Sequence, residues 1–168
     1  MSIYIICYNV DMKIHVTHAI AQGKTELAAF DACLQTCGIA DQNLIYLSSI
    51  IPPKSEISFD KPVYKEGHFG NRLYVVIASQ RESRPNHQAW AGIGWVTDPE
   101  TSKGLFVEHE GMSEEEVRQD ITETLYDMMA RRNHVQWSDI KMVVEGAMCG
   151  DRPVCAMVVA VYQSEDWK

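Results

Sequence analysis

Apolar runs at 3–8, 43–51, 73–78, 89–96, 104–108, 141–148 and 154–162 are short, rich in β-branched or aromatic residues, and closed by Gly, Pro, Asn or Asp. That length and punctuation predict strands. Two segments carry helical period instead: Thr25 to Cys37, ended by Gly38, and Ser113 to about Arg132. In the second, Ser113-Glu114-Glu115-Glu116 reads as a capping box that also sets three carboxylates against the positive end of the helix dipole. Val117, Ile121, Leu125 and Met128 follow at spacings of four, four and three, a stripe that predicts core. Two long helices separated by runs of strands imply α+β layers. Neither a repeat, a low-complexity tract nor a linker divides the chain, so residues 1–168 read as a single domain.

Composition narrows the function. A net charge of −8 with no clustered Lys/Arg stripe argues against a nucleic-acid partner. The apolar start Ser2 to Tyr8 lacks a basic n-region and a small-residue cleavage site, so it reads as a strand, with no signal peptide and no membrane span expected. The cysteines, Cys7, Cys33, Cys37, Cys149 and Cys155, are odd in number and form no C-x-x-C pair, which predicts reduced thiols in a cytoplasmic protein. Cys33 and Cys37 share a helix face, but no second Cys pair or His-x-x-x-His accompanies them, so buried thiols are expected and no metal. His15, His18, His68, His87, His109 and His134 have no ligand spacing; only His109, between two glutamates, is placed to tune a site.

The run from Asn43 ends in Ser48 and Ser49 and is stopped by Pro52-Pro53. A Ser49 hydroxyl held against the Ser48 carbonyl could convert the peptide to an ester, and elimination followed by hydrolysis would leave a pyruvoyl group. Alone, the dipeptide is better explained as a strand end before a Pro-Pro turn. The wider sequence changes this. Gly23-Lys-Thr-Glu-Leu-Ala-Ala-Phe-Asp31, Cys37-Gly-Ile39, Asn43-Leu-Ile45 and Ser48-Ser49-Ile-Ile-Pro-Pro53 come first. Ala91-Gly-Ile-Gly-Trp95, Gly104-Leu-Phe-Val-Glu108-His-Glu110-Gly111 and the glutamate-rich helix start at Ser113 follow. In that order they closely resemble the pyruvoyl-dependent arginine decarboxylases, from about Gly23 to Tyr162.

The resemblance implies a layered αββα sandwich that assembles as a trimer or dimer of trimers, with sites between protomers. It implies self-cleavage into residues 1–48 and 49–168, with Ser48 as the new C terminus and Ser49 converted to the pyruvoyl cofactor, and no pyridoxal phosphate. Decarboxylation of arginine to agmatine and carbon dioxide leaves an electron pair that acidic and basic side chains cannot accept and a ketone can. The α-carbon must then be protonated, which calls for a carboxylic acid in a dry site. Glu108 and Glu110 lie two apart in a strand and share a face, so alternation does not separate them; the family pattern selects Glu108. The resemblance also puts Asn43 in the site, and Leu47, Ile50 and Ile51 along the pocket wall.

Asp31 presents a local contradiction. Leu27, Phe30 and Leu34 mark the apolar face of the first helix, and Asp31 projects along it. A buried acid needs a partner. It either caps or hydrogen-bonds neighbouring backbone, or sits at the edge of the stripe, or, as the family implies, meets the substrate guanidinium. The single-glycine loop Ile20 to Lys24 and the stretch Lys61 to Asn71 depart from the family pattern. Three alternatives stay open: an amidohydrolase whose freed Ser49 attacks an amide, an unprocessed non-catalytic homologue, and a different amino-acid substrate. Polyamine synthesis and acid survival would use the same residues.

Overall fold

In the computed structural model, which describes residues 11–64 and 66–168, the elements follow the order β1 (Met12–Gln22), α1 (Glu26–Cys37), β2 (Asn43–Tyr46), β3 (Ile50–Ile51), β4 (Ser55–Ser58), β5 (Arg72–Glu82), β6 (Gln88–Thr97), β7 (Gly104–Gly111), α2 (Glu114–Ala130), β8 (Lys141–Met148) and β9 (Val154–Glu165). The strand expected at 3–8 and Cys7 lie outside the described residues. The strands form a five-stranded sheet in the order β2-β5-β9-β1-β4 and a four-stranded sheet in the order β3-β7-β6-β8. The pairs β1–β4 and β2–β5 are parallel and the rest antiparallel.

Strand alternation builds the layers. On β9, Val154, Ala156, Val158 and Ala160 point between the sheets, where they meet Ala89, Ala91, Ile93 and Trp95 of β6 and Phe106 of β7. Its odd-numbered neighbours Cys155, Met157, Val159 and Val161 point outward beneath α1. Burial on both faces explains why this segment reads as an unbroken apolar run. Across the second sheet, Val96, Leu105 and Val107 pack against Val117, Ile121 and Leu125 of α2. A helix on the outer face of each of two stacked sheets is compatible with the expected αββα sandwich. Gly92 and Gly94 set the approach of α2: a Cβ would stand 2.8 Å from Val117 Cγ1 at the first and 2.2 Å from Ile121 Cγ2 at the second.

Both helices begin where their caps predict, and α1 ends at its predicted glycine. Thr25 Oγ1 accepts from the Ala28 amide at 3.1 Å, and Gly38 closes α1 in the left-handed conformation (φ 77°). Ser113 Oγ accepts from the Glu116 amide at 3.2 Å, while Glu116 Oε2 reaches back to the Met112 amide at 2.8 Å, one residue before the cap. The stripe Val117, Ile121, Leu125 is fully buried, with Met128 at its edge.

Three expectations need correction. The run 43–51 is two strands, β2 and β3, in different sheets. The strands β1 and β4 were not anticipated. The buried face of α1 is Ala29, Cys33 and Cys37; Leu27 is 67% exposed, Phe30 and Leu34 only flank the core, and Asp31 is exposed, accepting a hydrogen bond from Gln35 Nε2 at 3.1 Å. Small side chains bring this helix close to its sheet, which turns the larger ones to the sides. Cys33, Cys37, Cys149 and Cys155 are buried thiols, as expected. Among the described residues no helix is long and apolar enough to cross a membrane.

Candidate active site

Between β2 and β3 the chain crosses from one sheet to the other, and Ser48 and Ser49 lie in the crossing. The Leu47 amide makes the last backbone bond to the first sheet before the crossing, to the Val75 carbonyl at 2.9 Å, and the Ser49 carbonyl makes the first to the second, from the Phe106 amide at 2.8 Å. The Ser48–Ser49 peptide is therefore fixed on both sides. Ser49 has φ 66°, and of the described non-glycine residues with positive φ it is the buried one. A left-handed L-residue costs roughly 1–2 kcal/mol, and such strain persists only where surrounding contacts over-determine it.

The contacts that hold Ser49 come from β7. Phe106 points between the sheets, so by alternation Glu108 and Glu110 follow on that side while Val107 and His109 face α2. Ser49 Oγ lies 2.9 Å from Glu108 Oε1 and 2.7 Å from Oε2, donating to the carboxylate. Glu110 Oε1 accepts from the Ser79 amide at 2.7 Å. The two glutamates share a face, as expected, but only Glu108 meets the serine. His109 is turned away, its Nε2 3.0 Å from Thr124 Oγ1, so it does not join the glutamates. Glu108 is exposed in the single chain, which does not by itself supply the dry surroundings expected of a proton donor.

Beside the crossing is a cavity of about 370 Å³ lined by Leu47, Ser48 and Ile50, together with Met12, Pro52, Tyr74, Tyr162, Gln163 and Glu165. Of the three residues expected along a pocket wall, Leu47 and Ile50 line this cavity, whereas Ile51 is buried in the core between the sheets. Sequence reasoning missed Tyr162. Its hydroxyl donates to the Ile50 carbonyl at 3.0 Å, its ring meets Phe106 edge-on at 6.2 Å, and burial, then the charge of Glu108, push its ionisation upward. Its only signal in the sequence is a polar-tipped aromatic where the β9 apolar run ends.

Asn43 and Asp31 are not brought to Ser49 within one chain. The Asn43 side-chain amide donates to the Gly70 carbonyl at 2.7 Å at the start of β2. Asp31 is on α1, which covers the face of the five-stranded sheet turned away from the second sheet. The residues at position 49 nonetheless suit a prosthetic group made from the chain itself: a buried serine oxygen held on a carboxylate, at a strained peptide whose preceding residue, Ser48, is exposed.

A strained serine held by a carboxylate at the crossover of a two-sheet sandwich defines the class of site. Residues 13–166 match the model of the family described as pyruvoyl-dependent arginine decarboxylase. Among relatives of that name, the protein of Picrophilus torridus is 31% identical over 105 residues, 62% of this chain and 58% of the relative. That of Thermoplasma volcanium is 32% identical over 108 residues, 64% and 59% of the two chains. That of Pyrococcus furiosus is 28% identical over 143 residues, 85% and 89%. The match thus spans under two thirds of the length of the first two relatives. The chain belongs to the pyruvoyl-dependent arginine decarboxylase family.

Proposed function

We propose that this protein cleaves itself between Ser48 and Ser49 and then decarboxylates arginine to agmatine and carbon dioxide. The carrying observation is the Ser49 hydroxyl 2.7 Å from the Glu108 carboxylate at a strained, doubly anchored peptide. In the intact chain Glu108 takes the hydroxyl proton as Ser49 Oγ attacks the carbonyl carbon of Ser48. The C–N bond breaks and an ester forms. Loss of the residue-49 α-proton expels the Ser48 carboxylate and leaves dehydroalanine, and hydrolysis releases ammonia and leaves a ketone at the head of residues 49–168. That group supplies an acceptor for the electron pair left when carbon dioxide departs.

The other tasks fall to side chains. Glu108, still beside position 49, holds the proton delivered to the substrate α-carbon. Leu47, Ile50 and Pro52 exclude water along the wall of the cavity. A trimer, alone or doubled, supplies the rest of the site: a second protomer covers the exposed Glu108 and brings Asp31 to the guanidinium, where a bidentate pair selects length and charge. Asn43 orients the reacting carbonyl once its bond to Gly70 is exchanged. The enzyme works in the cytoplasm without metal or pyridoxal phosphate.

Intact mass of the denatured protein, with and without phenylhydrazine, tests this. The expected result is two fragments split after Ser48, the longer one gaining the reagent. A chain that stays whole makes the protein an unprocessed homologue, and a longer fragment with a free N-terminal serine that ignores the reagent makes it an amidohydrolase.

A further inference from the structure

Strand β3 is two residues long and lies at the edge of its sheet. Because the Phe106 amide bonds the Ser49 carbonyl, the next position, Ile50 opposite Leu105, is a non-hydrogen-bonded pair, and the Ile50 carbonyl points off the sheet edge. Among the described residues no strand lies there to supply a donor. Tyr162 does so from the other sheet, its hydroxyl 3.0 Å from that carbonyl while its ring rests on Phe106. The crossing segment is thereby tied to the first sheet twice: upstream of the two serines by the Leu47 amide on Val75, and downstream by Tyr162.

We infer that Tyr162 is a positioning residue for the processing and the catalysis that take place at Ser49, acting through the Ile50 carbonyl. The inference rests on the self-cleavage proposed above. With the Leu47 amide tied upstream and the Ser49 and Ile50 carbonyls tied downstream, rotation of residue 49 out of its left-handed conformation breaks a bond on one side or the other, so its hydroxyl stays on Glu108. After cleavage residue 49 heads a new chain with nothing bonded before it, and the Tyr162 hydroxyl then fixes its position from the C-terminal side. Tyr162 makes no contact with the reacting atoms in this role. Burial and the neighbouring Glu108 charge keep the phenol protonated as a donor.

Tyr162→Phe keeps the ring and removes the hydroxyl. Freshly translated full-length chains, followed by intact mass over time, are expected to cleave about tenfold more slowly than wild type. Melting temperatures, compared for the same change in an uncleavable Ser49→Ala background, are expected to differ by only a few degrees. In Tyr162→Phe protein that has finished cleaving, kcat for arginine falls and KM stays within about twofold, a split that general destabilisation does not produce. Cleavage at the wild-type rate, or a change in KM alone, would overturn the assignment of Tyr162 while leaving self-processing intact. A wild-type chain that never cleaves would overturn both.

Discussion

Glu108 offers both carboxylate oxygens to one hydroxyl, at 2.9 and 2.7 Å, an arrangement that Gln preserves in size and not in acid–base capacity. Glu108→Gln is therefore expected to lower arginine turnover per cleaved chain by a factor of about 100 or more, the scale of positioned proton transfer, as read by carbon dioxide release. Glu82, at the end of β5, makes a prediction about stability. Its carboxylate accepts from the Arg84 guanidinium at 2.7 and 3.0 Å and from the Arg84 and Ser83 amides at 2.8 and 2.9 Å, which pulls its pKa down to about 2. A depressed pKa contributes stability above the unfolded value, about 4.3, and that contribution is lost as pH falls through the folded value. Glu82→Gln should melt lower than wild type at pH 7, with the gap closing between about pH 5 and pH 2. Thermal melts across that range check it. Of the site residues, Ser49 and Glu108 were legible because the family pattern marks them, while Tyr162 was not, since its role depends on which sheet edge it faces.

Close approach of helices to sheets decided what could be read of each element. Helix α2 was legible because its large side chains form the buried stripe and its cap has a local signature. On α1 the larger side chains mislead: Leu27 outranks Ala29 and Cys33 in hydrophobicity, yet the small residues occupy the contact, where the sheet surface lies too near for leucine. The same closeness makes Gly94 intolerant. Gly94→Ala drives a Cβ to 2.2 Å from Ile121 Cγ2, and the overpacking is expected to cost about 1–3 kcal/mol, measured by urea unfolding. Ser113→Ala, which leaves the Glu116 amide without its acceptor, is expected to cost about 1 kcal/mol in the same assay. Strand β1 was missed because Lys13, His15 and His18 interrupt its apolar letters, and because its buried positions change face along the strand, from Ile14 and Val16 between the sheets to Ala19 on the α1 side.

At the scale of the whole molecule, Asp31 and Glu108 occupy different faces of one chain, and the proposed site needs them together. If sites form between protomers, mixing and reassembling Asp31→Asn with Glu108→Gln chains should restore activity, with about a quarter of the sites in random mixtures receiving both native residues. Absence of any recovery in the agmatine assay would place a whole site in each chain and remove Asp31 from it. The sequence by itself determined what is local or periodic: the helix limits, the apolar runs that become strands other than β1 and β4, a core on alternate positions, and the serine pair before two prolines. Tertiary structure alone decided that the run through Ser48 and Ser49 breaks between two sheets, because eight consecutive apolar or hydroxyl residues from Leu44 to Ile51 carry no mark of where a sheet ends. It also supplied the physical reason why Glu108, the glutamate the family pattern selects, rather than Glu110 meets the serine: alternation gives both the same face, and the pairing register puts Phe106 opposite Ser49 and Glu108 within reach of its hydroxyl.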